Sequence, residues 1–223
     1  MAEGLQGIFA SAKNFVFLGE SGCGKTEIAL SFARALAAEG ERVLLFDMDQ
    51  TKPLLRAREA AAELAAAGVR LCFQEQLLGS PIVPPAVRES LADPGCRVVM
   101  DVGGSDLGAH MIGQFADAIA RSGSRVFFVI NPNRSWSRSR ETIAETTARL
   151  AAATGLHAME PVSNPNFGPT TTAPEVLEGH RRLLAMLERE TPRFLAAAEA
   201  LCPTVAPETT LPLLPVRLFR DGL

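Results

Sequence analysis

The chain contains no tyrosine and a single tryptophan, Trp136. Lysine is scarce too: of 22 basic residues only Lys13, Lys25 and Lys52 are lysines. No apolar run approaches the ~20 residues needed to cross a bilayer. The start, Met-Ala-Glu, lacks the basic-then-apolar order of a secretory leader. The four cysteines, Cys23, Cys72, Cys96 and Cys202, are scattered without C-x-x-C spacing, which speaks against a zinc site and against a disulfide framework. His110, His157 and His180 lie far apart and form no H-x-x-x-H pair, so they read as core or surface histidines rather than metal ligands. A reduced, cytoplasmic setting follows from these absences. The net charge of -3 and a pI near 5.7 exclude bulk-charge coating of nucleic acid.

What is present suits a folded domain. The 223 residues are 47% hydrophobic and 21% charged, enough to bury one good core and too apolar for disorder. Short β-rich runs alternate with longer helical ones. Residues 14–18, 42–46, 69–73, 97–100, 125–130 and 156–162 read as strands, and 27–39, 54–67, 107–121 and 138–153 as helices. Thr172-Ala-Pro-Glu175 opens a further helix, with a threonine cap, proline in the first turn and glutamate three residues on. The alternation predicts an α/β chain with a mostly parallel sheet and helices on both faces. Residues 1–202 read as one domain and 203–223 as a Pro-rich extension packed on it. Pro203, Pro207, Pro212 and Pro215 forbid a long helix there. The tail reads as an extended strap over the domain's own core or as a docking segment for a partner.

Gly19-Glu20-Ser21-Gly22-Cys23-Gly24-Lys25-Thr26 matches G-x-x-x-x-G-K-[ST] between a predicted strand and a predicted helix, the context that motif requires. The glycines let the backbone curl so that successive N–H groups face phosphate oxygens, and the helix N-terminus adds positive charge. The expected nucleotide-binding set is these eight residues with Glu27 beside them. Lys25 is expected to reach the β- and γ-phosphates and Thr26 to offer its hydroxyl to Mg²⁺. Cys23, inside the loop, reads either as a small residue that fits or as an oxidisable thiol at a helix start.

Asp101 ends an apolar strand, and Asp101-Val-Gly-Gly104 fits D-x-x-G. Its carboxylate is a candidate Mg²⁺ ligand and Gly104 a candidate γ-phosphate sensor; an ordinary strand-end turn is the plain alternative. Asp47-Met-Asp49 closes the second predicted strand. If the first and second strands are neighbours, both carboxylates sit at the mouth that holds Lys25, one polarising water and one orienting the metal shell.

The P-loop, the Val43-Leu-Leu-Phe-Asp47-Met-Asp49 strand end and the later Asp101-Val-Gly-Gly104 together resemble the MinD/ParA/CobQ/CobB group of P-loop ATPases. The resemblance covers roughly residues 14–190 and implies a three-layer P-loop NTPase fold with ATP and Mg²⁺ as cofactors. It makes Asp49 the water-activating residue and a metal-shell residue, with Asp47 beside it, and it points to Asn164 for the adenine edge. Many members of the group carry an extra lysine early in the loop, which crosses a dimer to the other subunit's nucleotide. Glu20 stands there in this chain, so the expected state is a monomer or a nucleotide-independent dimer. Lys52, followed by Arg56 and Arg58, is the candidate for an internal catalytic cation. GTP enzymes read guanine with N-K-x-D; here Asn131-Pro-Asn-Arg134 ends the corresponding strand without an aspartate. Asn131 and Asn164 are therefore the candidate base-contacting residues, or else plain turn formers. The Asn133–Arg140 cluster around Trp136 reads as an anion or base site, or as a capped helix start with solvated arginines.

Three functions fit these residues. One is an ATPase that switches a client protein. Another is an ATP-dependent small-molecule kinase or ligase, with residues 134–140 or 165–172 lining an acceptor pocket. The third is an adaptor that binds nucleotide with negligible turnover. An ABC transporter subunit fits poorly, because L-S-G-G-Q occurs nowhere.

Overall fold

The computed structural model describes residues 3–49, 55–73, 86–188 and 190–217. The first half of the chain runs α1 (Glu3–Ser11), β1 (Asn14–Leu18), α2 (Lys25–Ala38), β2 (Val43–Met48), α3 (Leu55–Ala66), β3 (Val69–Cys72), α4 (Val87–Ala92), β4 (Arg97–Val102) and α5 (Asp106–Gly113). Then come α6 (Ala116–Arg121), β5 (Arg125–Ile130), α7 (Arg140–Thr154), β6 (Met159–Ser163), α8 (Ala173–Leu187), β7 (Leu195–Ala198), α9 (Cys202–Val205) and β8 (Leu213–Val216).

The strands form one sheet in the order β3-β2-β4-β1-β5-β6-β7-β8, and each described pairing is parallel. Parallel strands need crossover helices, and these cover both faces, so the strands read as unbroken apolar runs. Alternate residues feed separate cores. Phe15, Phe17, Leu45, Val99 and Phe127 pack with α1 and α2 on one face. Val16, Leu18, Leu44, Phe46, Val98 and Met100 pack with α4, α5 and α6 on the other. This is the expected three-layer α/β fold.

Strand order corrects one expectation. β1 and β2 are not neighbours, because β4 lies between them. The acidic end of β2 therefore meets the acidic end of β4 rather than the P-loop strand directly. The run at 107–121 is two helices, α5 and α6, parted at Gln114-Phe115. Phe115 is buried and N-caps α6, so the two helices bury a continuous apolar pattern around a bend. α1, α4, β7 and α9 carry no expectation from sequence. α1 and α4 are short, and Leu195–Ala198 is alanine-rich, which favours helix locally. Its burial beside Phe194, and its pairing with Leu213–Val216, settle it as strand. Leu214 and Val216 are buried, so this part of the Pro-rich tail is the outermost strand of the sheet.

Phe32 of α2 is the hub of the larger core. Its ring stands edge-on to Phe9, Phe15 and Phe17 at 5.0, 4.8 and 5.2 Å between centroids. These contacts fix α2, and hence the loop that precedes it, against the sheet. Phe32→Ala is expected to cost about 3–5 kcal/mol, read as a lowered midpoint in urea denaturation with the slope unchanged.

Candidate nucleotide site

Residues 19–24 connect the C-terminal end of β1 to the N-terminus of α2. Gly24 caps α2 in the left-handed region, at φ 91°. A side chain there would be strained and would strike the amide of Asn164. That amide donates to the carbonyl of Cys23 at 2.7 Å, so the end of β6 braces the loop. Lys25 is the first residue of α2 and is buried. Its Nζ bends back to donate to the Glu20 carbonyl at 2.9 Å. Gly104 lies directly on this loop: a Cβ there would sit 2.5 Å from the Ser21 amide nitrogen and 2.8 Å from Lys25 Nζ. Only glycine permits that approach. Glu27 lies in the first turn of α2.

The parallel register places Asp47 of β2 opposite Asp101 of β4, and Asp101 opposite Phe17 of β1. Asp49 follows, its backbone N–H donating to Asp47 Oδ1 at 3.0 Å. A Cβ on Gly103 would lie 3.0 Å from Asp49 Oδ1, so the glycine turn after β4 also touches the end of β2. Three aspartates, Lys25 and Thr26 thus converge at one end of three strands. Burial pushes the Asp101 carboxyl up to about 8; the Asp47 charge adds to the rise, while Lys25 and a hydrogen bond with Thr26 oppose it. Burial also pushes Asp47 up to about 6, against the Asp49 N–H and with the Asp49 charge.

A divalent cation fits these residues. Asp101 Oδ1 is buried without a hydrogen-bond partner, and the same side chain bonds Thr26. A carboxylate oxygen left without a donor next to a hydroxyl suits a hard, oxygen-seeking ion. Among the described residues no three His, Cys, Asp or Glu side chains could hold an ion between them. A hard cation here would take its protein ligands from Asp101 and Thr26.

The other expected site residues take different places. Asn131 is buried; its Nδ2 donates to the Asn166 carbonyl at 2.7 Å, and its Oδ1 accepts from the N–H groups of Asn133 and Asn166. Both asparagines singled out for base contact are thus tied into the loops after β5 and β6. In these bonds they brace the site's wall. Lys52 lies outside the described residues, as do the side chains of Arg56 and Arg58. Trp136 is no stacking platform: it packs into the core against Phe128 at 5.9 Å, because the helical turn before α7 rolls it inward. The arginine cluster around it splits. Arg138 and Arg140 are exposed beside the Ser139 cap of α7, whereas Arg134 donates from Nε to the Gly22 carbonyl at 3.0 Å. Cys23 is fully buried and burial raises its thiol pKa, which removes it as a reactive cysteine. Sequence reasoning missed a second arginine at the loop. Arg149 of α7 forms an ion pair with Glu20; only its sign, opposite to a glutamate in a phosphate loop, could have pointed to it.

Burial of Asp101 has a pH signature. The unfolded chain releases the Asp101 proton near 4, whereas the folded protein holds it to about 8. Between those values the folded state carries more protons, so its stability falls as pH rises. Asp101→Asn removes that burden. In metal-free buffer the variant is expected to melt above wild type at pH 8, with the gap closing toward pH 4, as read by calorimetric scans across that range.

Comparison with known proteins agrees with this geometry. The family model for the CobQ/CobB/MinD/ParA nucleotide-binding domain matches residues 15–163, more than half the chain. No curated protein matches the sequence. Among solved structures, the signal recognition particle receptor FtsY of Elizabethkingia anophelis in complex with GDP is similar at a TM-score of 0.55 and 16% identity, covering 84% of this chain and 57% of that one. FtsY of Thermotoga maritima gives 0.53 and 14%, covering 84% and 62%. The signal recognition particle 54 kDa protein of Aeropyrum pernix in complex with GDP gives 0.52 and 19%, covering 83% and 41%. The chain thus spans less than two thirds of each of these structures, and identities this low speak to the fold alone. The extent of the family match, with the loop and the strand-end aspartates all inside it, shows that the chain belongs to the CobQ/CobB/MinD/ParA nucleotide-binding domain family.

Proposed function

We propose that this chain is a Mg-dependent ATP-hydrolysing switch that presents its nucleotide state to a client protein. The observation that carries the reading is Gly104. The turn that follows the Asp101 strand is already seated on the P-loop, within contact of Ser21 and Lys25. A group that arrives between them must move that turn, and α5, which starts at Asp106, moves with it.

The chain's own residues divide the work. Loop N–H groups and the α2 N-terminus cradle the β-phosphate. Lys25 exchanges the Glu20 carbonyl for phosphate oxygens. Thr26 and Asp101 hold the metal, with Asp47 behind Asp101 keeping it charged only when a cation is present. When bound, Mg²⁺ neutralises phosphate charge and orients the terminal phosphate. Asp49, at the open end of β2, orients the attacking water and accepts its proton. ATP is the proposed nucleotide, because β5 ends in Asn131-Pro-Asn-Arg134 and supplies no aspartate to read guanine. Glu20 in place of the loop lysine supports a monomer or a nucleotide-independent dimer. The four free thiols support a cytoplasmic setting.

Phosphate release from ATP and Mg²⁺ by the purified protein, with no added acceptor, tests the switch. Release only in the presence of a metabolite would replace it with the kinase or ligase reading. Lys25→Ala is expected to abolish ATP binding in calorimetry, because it removes the one charged donor within the loop. Asp49→Ala is expected to keep binding and slow hydrolysis by roughly 10²–10⁴, since water activation acts in the transition state. In competition against a fluorescent ATP analogue, ATP should displace it at lower concentration than GTP.

A further inference from the structure

A glutamate at the second position of a phosphate loop poses an electrostatic problem. Glu20 carries a negative charge on the segment that must receive a polyanion. The structure shows where the charge goes. The Glu20 carboxylate is paired with the guanidinium of Arg149, in the middle of α7. The two side chains are 21% and 42% exposed, so the pair is partly screened from water and is stronger than an open surface pair.

Arg149 is held to its task by the helix that carries it. A capping box between Ser139 and Thr142 fixes the start of α7. Thr146 and Leu150, flanking Arg149, are buried. Near its end α7 rests on α5: a Cβ on Gly113 would lie 3.1 Å from the Ala153 carbonyl. The Ser105 cap of α5 follows Gly104 directly, and Gly104 in turn lies on the Glu20 backbone, 2.8 Å from Glu20 C to an added Cβ. The contacts form a closed ring from loop to turn, turn to α5, α5 to α7, and α7 back to the loop through Arg149 and Glu20.

We propose that Arg149 is a positioning residue for phosphate binding: its ion pair commits the Glu20 carboxylate to α7 and cancels its charge, so that a P-loop with an acidic second residue accepts a nucleoside triphosphate. The proposal rests on the nucleotide reading of the site. It makes Arg149 act through Glu20 and not by touching phosphate itself, and this distinction is measurable.

The test is a double-mutant cycle on the full chain, with Mg-ATP affinity read by calorimetry and folding checked by thermal melting. Arg149→Ala leaves an unpaired carboxylate beside the cradle and is expected to weaken binding roughly tenfold. Glu20→Ala removes the charge and is expected to bind somewhat more tightly than wild type. The double variant should match Glu20→Ala, not Arg149→Ala. Arg149→Lys, which keeps the charge, should recover most of the affinity. The Arg149→Ala deficit should also shrink as sodium chloride is raised, because exposed charges are screened over ~10 Å at 0.1 M; a purely structural loss would not respond in this way. Wild-type affinity in Arg149→Ala overturns the proposal. So does a deficit that persists in the double variant, which would mean that Arg149 meets the phosphates itself or merely supports α7. If wild-type protein binds no ATP, the nucleotide proposal falls and this one falls with it; tight wild-type binding with a failed cycle leaves the nucleotide proposal standing.

Discussion

Asp47 and Asp101 lie side by side on adjacent parallel strands, Asp101 buried and Asp47 partly so, and much of the site follows from that pairing. Two carboxylates side by side cannot both ionise cheaply, and burial sharpens the conflict. Lys25 and Thr26 oppose the rise at Asp101 but leave its Oδ1 without a donor. The arrangement is therefore unfavourable with both carboxylates charged. Any positive charge brought beside the pair would relieve that conflict and so couple binding to stability.

The rest of the site is a set of braces that keep the loop in reach of that pair. Asn164 holds the Cys23 carbonyl from the end of β6, and Asn131 ties the loop after β5 to the loop after β6. Behind them, a Cβ on Gly179 of α8 would lie 2.6 Å from Pro165, so the helix backbone presses directly on the brace. His180, next along α8, is buried and bonds the Ser163 hydroxyl at 3.0 Å. Each brace comes from a strand or helix on the far side of β1 from the aspartates. The loop is thus clamped between an acidic wall and an amide wall, and the Phe32 cluster beneath α2 resists its withdrawal.

The sequence revealed the acidic wall better than the amide wall, for a physical reason. The P-loop, Asp47-Met-Asp49 and Asp101-Val-Gly-Gly104 are local signatures, since each needs its residue types at fixed spacing for one job. The strands that present them are apolar and β-branched or aromatic, and local pattern suffices to find those. Braces are different. An asparagine after a strand can cap, turn, bond a base or hold a neighbouring loop with the same chemistry, and only tertiary structure chooses. The choice here went to backbone carbonyls and N–H groups. Sheet order is likewise non-local: nothing within β1 or β2 says that β4 lies between them. Leu195–Ala198 escaped notice because alanine favours helix when isolated, and its pairing with the tail overrides that preference.

The substitution at position 20 changes where this chain finds its positive charge. With lysine at the second loop position, a cation belongs to the loop itself and can reach outward to another subunit. With glutamate there, two arginines from the segment after β5 reach the loop among the described residues. Arg134 donates to the Gly22 carbonyl from just before α7, and Arg149 pairs with Glu20 from within it. Both arginines hold the loop from the side of the amide wall, opposite the aspartates. The loop's acidic side chain is thus matched in cis, from a helix packed on α5. Such an arrangement ties the P-loop to α5 of the same chain, with α7 as the element that touches both.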